Sequence, residues 1–439
     1  VLAVIAPDAC GLGGDLLAII DQPDGAQIAV TGAGAAPAAL TSVSGDGANS
    51  ITVPGLVGAW TTIARKWAKL PLTETLAPAI RIAEEGVALS AALCDAVDAH
   101  RQRLRAGGAE QWDLFAAKPG DLWTQRPLAQ VLRAIASDKD AAFYAGDAAA
   151  AIESAIRSLG GAMSRADLAA HSTLLSPPIS VQFGPWRVAV QPPPTQGILL
   201  AISLQARARL GAIDPALADH VGIELTEGAF AYRAHAAEGA ALLSRELEID
   251  MTRAMRRGGP RAYLHTAGVA TSDSSGLTIS SLVSVFDDFG SCVFVPELGL
   301  TLNNRAGGFT SAPNDAAPGK RPVHTLAPMM MKSSSGKIAL ATPGADGQVQ
   351  TLLQILDRIV YRGETLDSAM AAPRWRGQNG SLLIEDGHPA IEKLSALGHE
   401  VTVIEAGDLR FGGAVCAGQV DGESIALADW RRECWAGVA

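Results

Sequence analysis

The stretch that most constrains the fold runs from Tyr263 to Thr310. Its first half reads as two strands around a turn. Val269, Thr271, Leu277, Ile279, Leu282, Val283 and Val285 are β-type residues, and Asp273-Ser-Ser-Gly276 has turn chemistry. Thr266 opens the first strand. Inside a continuous chain, a threonine there is only a strand residue. If the chain is cut before it, hydroxyl and amine sit on one residue. The amine, with a pKa of about 8, can then act as general base for its own hydroxyl, and no histidine is needed.

The rest of the composition narrows the partners. With 439 residues, 48% hydrophobic and 18% charged, the chain can bury a sizeable core in one or two lobes. A net charge of -10 and the absence of a long basic run argue against a nucleic-acid surface. Apolar stretches are broken by Pro, Gly or charge well before ~18 residues, so no membrane span is expected. The chain opens at Val1 in what reads as the middle of a strand, which implies sequence upstream, where any signal peptide would lie. The compartment stays open, cytoplasmic or periplasmic. Cys10, Cys94, Cys292, Cys416 and Cys434 are scattered and never form CxxC, so they read as buried free thiols, not a disulfide framework or zinc site.

Taken in order, residues 1–50 read as strands joined by small-residue turns. Trp60, Ile63, Trp67 and Leu70 recur at helical spacing and predict a buried face. Leu76 to Glu85 is a second helix, stopped by Gly86. Residues 91–170 are mostly helical, with a capping box at Ser164-x-x-Asp167. Strand returns over 178–191 around a turn at Gly184-Pro185, and Gln191-Pro-Pro-Pro-Thr-Gln-Gly197 breaks the chain before a long helix to Leu210. Residues 220–258 read as helical, including Glu227 to Leu243. Arg253, Arg256, Arg257 and Arg261 form a basic run just before Thr266, a solvated face or an exposed linker. Strands follow at 325–332 and 337–342, a helix at 349–361, an irregular Pro373-Arg-Trp-Arg376, and then strand, helix (390–397), strand and a final hairpin. Gly11-Leu-Gly-Gly14 and Ser333-Ser-Ser-Gly-Lys337 lack the spacing of a phosphate loop.

Several stretches in this order carry a resemblance: Gly11-Leu-Gly-Gly14, Val53-Pro-Gly55, Leu76 to Gly86, Pro192-Pro-Pro194 with Gly197, Phe289-Gly290, Leu302-Asn-Asn304, Lys320-Arg-Pro322, Thr342-Pro-Gly344 and Ala372-Pro-Arg374. Together they resemble the gamma-glutamyltranspeptidase family of N-terminal-nucleophile hydrolases over nearly the whole length. The resemblance implies an α+β fold, a four-layer αββα sandwich. It implies a precursor that cuts itself between His265 and Thr266, leaving pieces 1–265 and 266–439 together as one compact heterodimer. Thr266 falls at the nucleophile position. Ser284 falls where the family has a supporting threonine. Gly344 and Ala345 fall at the two oxyanion positions, where the change from Gly to Ala keeps the backbone N–H.

The departures bear on specificity. The nucleophile is followed by Ala267-Gly268 where the family has Thr-His. The arginine that grips the α-carboxylate of a γ-glutamyl group is Ser42 here, and the aspartate that grips its α-amino group is Gly308. Phe286 replaces an asparagine, His324 a serine, and Arg305 a neutral residue beside Asn304, which the resemblance carries over as a substrate contact. The loop 311–322 is shorter than the family's lid. Losing a charge-assisted contact at a buried site costs about 2–5 kcal/mol, so losing two disfavours a γ-glutamyl substrate. The expectation is a self-processed amidase or acylase acting on a small amide, without metal or cofactor. Gly307 and Gly308 are expected to leave room, Phe286 to form an apolar wall, and Arg305, if it points inward, to favour an acyl group bearing a carboxylate. The rivals are an uncut family member that serves as a binding or structural protein, and a true transpeptidase with other grips.

Overall fold

The strand Asp15–Asp21 shows how the layers arise. All seven residues of Asp-Leu-Leu-Ala-Ile-Ile-Asp are buried. Leu16, Ala18 and Ile20 point one way, into a core with Val30, Leu56, Val57 and Ala59. Leu17 and Ile19 point the other way, toward Ala341 and Leu326 and toward Met330 and Ala339. A strand covered on both faces needs an unbroken apolar run, and this one has it.

In this computed structural model, residues 1–257, 266–432 and 434–438 are described. Two antiparallel sheets lie face to face. The first has five strands in the order Leu174–Ser176, Gln27–Gly32, Asp15–Asp21, Thr278–Ser284, Ala267–Ser272. The second has six, in the order Glu423–Ala428, Val415–Val420, Gly336–Ala341, Met329–Lys332, Trp186–Val190, Ile179–Phe183. Helices Leu56–Trp67, Ala77–Glu85, Arg126–Asp138 and Gly146–Ser158 cover the outer face of the first sheet. Helices Gly197–Leu210, Ala218–Phe230 and Gly347–Tyr361 cover that of the second. This is the four-layer αββα sandwich. Each sheet takes strands from both sides of Thr266.

Local signals account for most of the elements. Gly86 takes φ 93 and ends the Ala77–Glu85 helix, as left-handed backbone favours glycine. Ser164 and Asp167 close a capping box. The hairpin at Gly184 and the helix from Gly197 stand where expected. Among the described residues no helix is long and apolar enough to cross a membrane. Four cysteines are buried free thiols, and Cys434 is half-buried.

Five expectations change. Leu2–Ile5 is a helical turn, not a strand. The deep face of the Leu56–Trp67 helix is Leu56, Val57 and Ala59, with Trp60, Ile63 and Trp67 half-buried at its margin. Leu70 lies beyond the helix end, before Pro71, and is 57% exposed. The helical reading of 220–258 holds only to Phe230: the chain continues as 3-10 turns, Arg233–Ser244, kinked at Gly239 with φ 59, and residues 245–257 are not helical. Trp375–Gln378, expected to be irregular, pairs with Ser381–Glu385 as a strand whose Trp375 is buried.

Candidate active site

Thr266 stands immediately before the strand Ala267–Ser272 and is 6% exposed. The bond between His265 and Thr266 lies outside the described residues, as does Arg261. Ala267 pairs with Val283, so the antiparallel register carries Thr266 alongside Ser284. Gly268 fits its place: a Cβ there would come within 3.2 Å of Ala341, three residues before Gly344. The head of the strand therefore faces the Pro343–Asp346 turn across the two sheets. Neither Gly344 nor Ala345 donates its backbone N–H to any described residue. Ala345 holds φ 48, a left-handed conformation that costs a non-glycine residue about 1–2 kcal/mol.

A chain of contacts leads away from Ser284. Its Oγ accepts the Phe286 N–H at 2.9 Å. Phe286 is buried at φ 88, and its ring lies 4.4 Å below the Arg305 guanidinium. Arg305 is 0% exposed. Its Nε donates to Asp15 Oδ2 at 3.0 Å and its Nη1 to Thr325 Oγ1 at 3.2 Å. Its Nη2 is buried and has no partner among the described residues. Thus Arg305 points inward, as the carboxylate reading requires, but Asp15 already matches much of its charge. The Thr325 carbonyl accepts from Gln196 Nε2, which also donates to the Ala345 carbonyl at 2.7 Å. The path closes on the Gly344-Ala345 turn.

His324 completes the buried group. Its Nδ1 accepts the Leu326 N–H at 3.2 Å, so Nε2 carries the hydrogen toward Asp15 Oδ2, 3.1 Å away. Burial, reinforced by the Arg305 charge, pushes His324 down to about 4, and the ring is neutral at pH 7. Burial works to raise the Asp15 carboxyl, but His324 and Arg305 outweigh it and hold it below the usual carboxylate range. Burial lowers Arg305 against the pull of Asp15.

The remaining expected residues divide. Asn304 is buried and tied into the protein: Oδ1 accepts the Asp287 N–H, and Nδ2 donates to Asp287 Oδ2 and the Gly45 carbonyl. It braces the 41–50 loop. Ser42, in that loop, is exposed and makes no hydrogen bond among those described. Gly307 and Gly308 do not leave room. A Cβ at Gly307 would meet the Phe286 ring at 3.1 Å, and one at Gly308 would meet the Val323 carbonyl at 2.9 Å. An acidic side chain at 308 would need the backbone to move.

Five neighbours went unread in the sequence: Asp15, Gln196, Arg233, Asn303 and Thr325. Asn303 Oδ1 accepts from Thr52 and from the Arg305 N–H, and its Nδ2 donates to the Gly13 and Thr52 carbonyls. Arg233 joins Asp346 (3.2 Å) to the Gly308 carbonyl (3.4 Å), and its Nη2 is buried without a partner among the described residues. The doubled Asn of Leu302-Asn-Asn304 and the Gln in the break before Gly197 were the available signals. The loop 311–322 is pinned by Asn314, which bonds Gly308, Thr310 and Val323.

Comparison with known proteins agrees with this geometry. The gamma-glutamyltranspeptidase family model matches residues 1–438. The oxamate amidohydrolase proenzyme of Klebsiella pneumoniae is 32% identical over 92% of this chain and 85% of its own length. The glutathione hydrolase-like YwrD proenzyme of Bacillus subtilis is 29% identical over 97% and 89%. The crystal structure of cephalosporin acylase from Bacillus halodurans superposes with a TM-score of 0.86 at 26% identity, over 99% of this chain and 89% of that one. The first two relatives are named as proenzymes, and this chain belongs to the gamma-glutamyltranspeptidase family.

Proposed function

We propose that this chain cuts itself before Thr266 and then hydrolyses a small amide whose acyl part carries a carboxylate. Pieces 1–265 and 266–439 stay together because each sheet needs strands from both. Thr266 Oγ attacks the amide carbonyl. The new α-amine takes the hydroxyl proton and returns it to the leaving amine. The Gly344 and Ala345 N–H groups stabilise the oxyanion, and Ser284 supports the nucleophile. Water then attacks the Thr266 ester and releases the acid. The observation that carries the reading is Thr266 at a strand head facing a turn whose Gly344 and Ala345 N–H groups are unengaged among the described residues.

The acyl preference rests on Arg305 Nη2, a buried guanidinium donor without a partner among the described residues. A carboxylate can take it up, with Arg233 as a second cation nearby. The relative named for oxamate supports a small acid amide. The exposed Ser42 and the close-packed Gly308 weigh against a γ-glutamyl group. The test has two parts. Denaturing electrophoresis with N-terminal sequencing should yield a small piece beginning at Thr266, and one uncut chain in Thr266→Ala. The processed protein should hydrolyse a dicarboxylic monoamide about 10- to 100-fold faster than its neutral methyl ester, as one charge-assisted contact predicts. A purified protein that stays in one piece supports the non-catalytic rival. Equal rates on acid and ester would remove Arg305 from the acyl site.

A further inference from the structure

Away from Thr266, we propose that His220, Glu224 and His399 form a binding site for a divalent transition metal of the zinc class. His220 and Glu224 are four residues apart on the Ala218–Phe230 helix, which puts them on one face. His399 enters from the loop after the Ile391–Ala396 helix, where its N–H bonds the Leu394 carbonyl. All three are buried, and one ligand atom from each lies within 4.8 Å of the others.

The hydrogen bonds around the group prepare it for a cation. His220 Nε2 lies 2.7 Å from the Asp250 carbonyl, which can only accept, so Nε2 carries the hydrogen. His220 Nδ1 then turns its lone pair toward His399 Nε2, 2.8 Å away. An N–H braced on a carbonyl, with the other nitrogen free, is the outer-shell arrangement of metal-binding histidines. Nitrogens bound to one tetrahedral zinc at about 2.0–2.1 Å sit roughly 3.3 Å apart, so a small ring rotation admits the ion.

Glu224 supplies the independent observation. Its Oε1 accepts the Met255 N–H at 2.9 Å. Its Oε2 is buried and has no hydrogen-bond partner among the described residues. Arg257 Nη1 stops at 3.8 Å, beyond hydrogen-bond distance, and donates instead to the Glu224 carbonyl at 3.1 Å. A direct bond between the two imidazoles would satisfy the histidines and leave this carboxylate oxygen without a hydrogen bond among the described residues, with only the Arg257 ion pair at 3.8 Å. A cation satisfies all three. Two imidazoles and a carboxylate suit zinc, with a fourth position for water, whereas calcium and magnesium want more oxygens.

Two ligands precede Thr266 and one follows it. If the chain is cut as proposed above, the ion would join the two pieces. That consequence rests on the cut, while the site itself does not.

The test uses tag-free, chelator-treated protein and two probes, Zn2+ by calorimetry and Co2+ by visible absorption. One equivalent should bind, with the intense visible bands of a four-coordinate cobalt site and a rise of several degrees in Tm. Glu224→Gln and His399→Ala should each weaken binding at least about tenfold. Should either variant fail to fold, the cobalt spectrum of the unaltered protein decides alone. No stoichiometric uptake, an octahedral spectrum, or unchanged affinity in folded variants would overturn the proposal. If sequencing finds no cut but one cobalt binds, the site stands and the bridging role falls.

Discussion

Arg305 and Arg431 both have side chains sealed from solvent, and each faces carboxylates and lies over an aromatic ring. They differ in what they do with their donors. Arg431 spends all of them inside the protein: Nε and Nη2 on Glu385 at 2.8 and 2.6 Å, Nη1 on Asp429 at 3.0 Å, and further bonds to the Met370 and Ala372 carbonyls. Arg305 makes two bonds and leaves Nη2 with none among the described residues. A buried charge with every donor met is a staple between segments. One with a donor to spare is either a cost the fold tolerates or a seat for a ligand. Arg374, next to Arg431, also leaves its Nε unpartnered among the described residues, so an orphan donor alone does not mark a site. What sets Arg305 apart is the contact path through Phe286 and Ser284 to the strand that Thr266 opens.

The largest effect separates the two by mutation. Arg431→Met strands Glu385 and part of Asp429, and should cost about 3–5 kcal/mol of stability. It should leave the ratio of acid to ester hydrolysis unchanged in the protein that folds. Arg305→Met removes fewer bonds, and His324 stays beside Asp15. It should cost less stability and collapse the ratio toward one. Denaturant unfolding and the two rates together check this. A ratio that survives in Arg305→Met, with a stability loss matching Arg431→Met, would make both arginines staples.

Acid sharpens the same contrast. His324 titrates at about 4 in the folded protein against 6.5 ordinarily, because of burial and then the Arg305 charge. Between those values the unfolded chain binds a proton that the folded chain refuses. Stability contributed here is present in full above 6.5 and falls as pH drops toward 4, by about 3 kcal/mol at most. Around Arg431, burial works to raise Glu385 and Asp429, but the arginines outweigh it and both are lowered. Their contribution is kept above the ordinary carboxylate range and lost only as pH falls through the lower folded values. His171, pushed down to about 4 by burial, adds a fall parallel to that of His324. The measurement is therefore a difference: His324→Gln should flatten the stability profile between pH 6.5 and 4 relative to the unaltered protein. An identical slope in both would mean that His324 is not held neutral by its neighbours.

How much of this was legible in sequence depended on range. Gly86, the Ser164–Asp167 box and the hairpin at Gly184 act over a few residues, and their chemistry names the element they end or begin. The strand Asp15–Asp21 fell within a stretch read only as strands joined by turns, and the sandwich that buries both its faces was carried only by the resemblance. Asp15 itself was opaque. An acidic residue at the edge of an apolar run ordinarily marks the solvent end of a strand, whereas here its partner is 290 residues away. For the same reason the direction of Arg305 could not be read. The room expected at Gly307 and Gly308 failed on a related point: glycine signals close approach as readily as space, and Phe286 and Val323 are what approach. Asn304 was singled out, while Asn303 holds Thr52, Gly13 and the Arg305 backbone, because nothing local distinguishes two adjacent asparagines.

The smallest expected effect concerns the rings under the two arginines. Phe286 is 2% exposed beneath Arg305, and Trp430 is 55% exposed beside Arg431, at 4.4 and 4.8 Å from the guanidinium carbons. A cation–π contact contributes about 0.5–1 kcal/mol where water competes and about 2 where it is excluded. Leucine is the apt replacement at both places. It is unbranched at Cβ, like Phe, so the positive φ at 286 is no harder for it to hold, and backbone strain drops out of the difference. Trp430→Leu also loses the indole bond to the Ala371 carbonyl at 3.3 Å, an exposed contact of little weight. Phe286→Leu should therefore cost about 2 kcal/mol and Trp430→Leu under about 1, measured by the same unfolding titration. Only Phe286→Leu should also erode the acid preference, since a guanidinium with no ring beneath it is less fixed in direction. Equal losses at the two sites, with acid preference intact in both, would show that the Phe286 ring neither strengthens nor aims Arg305.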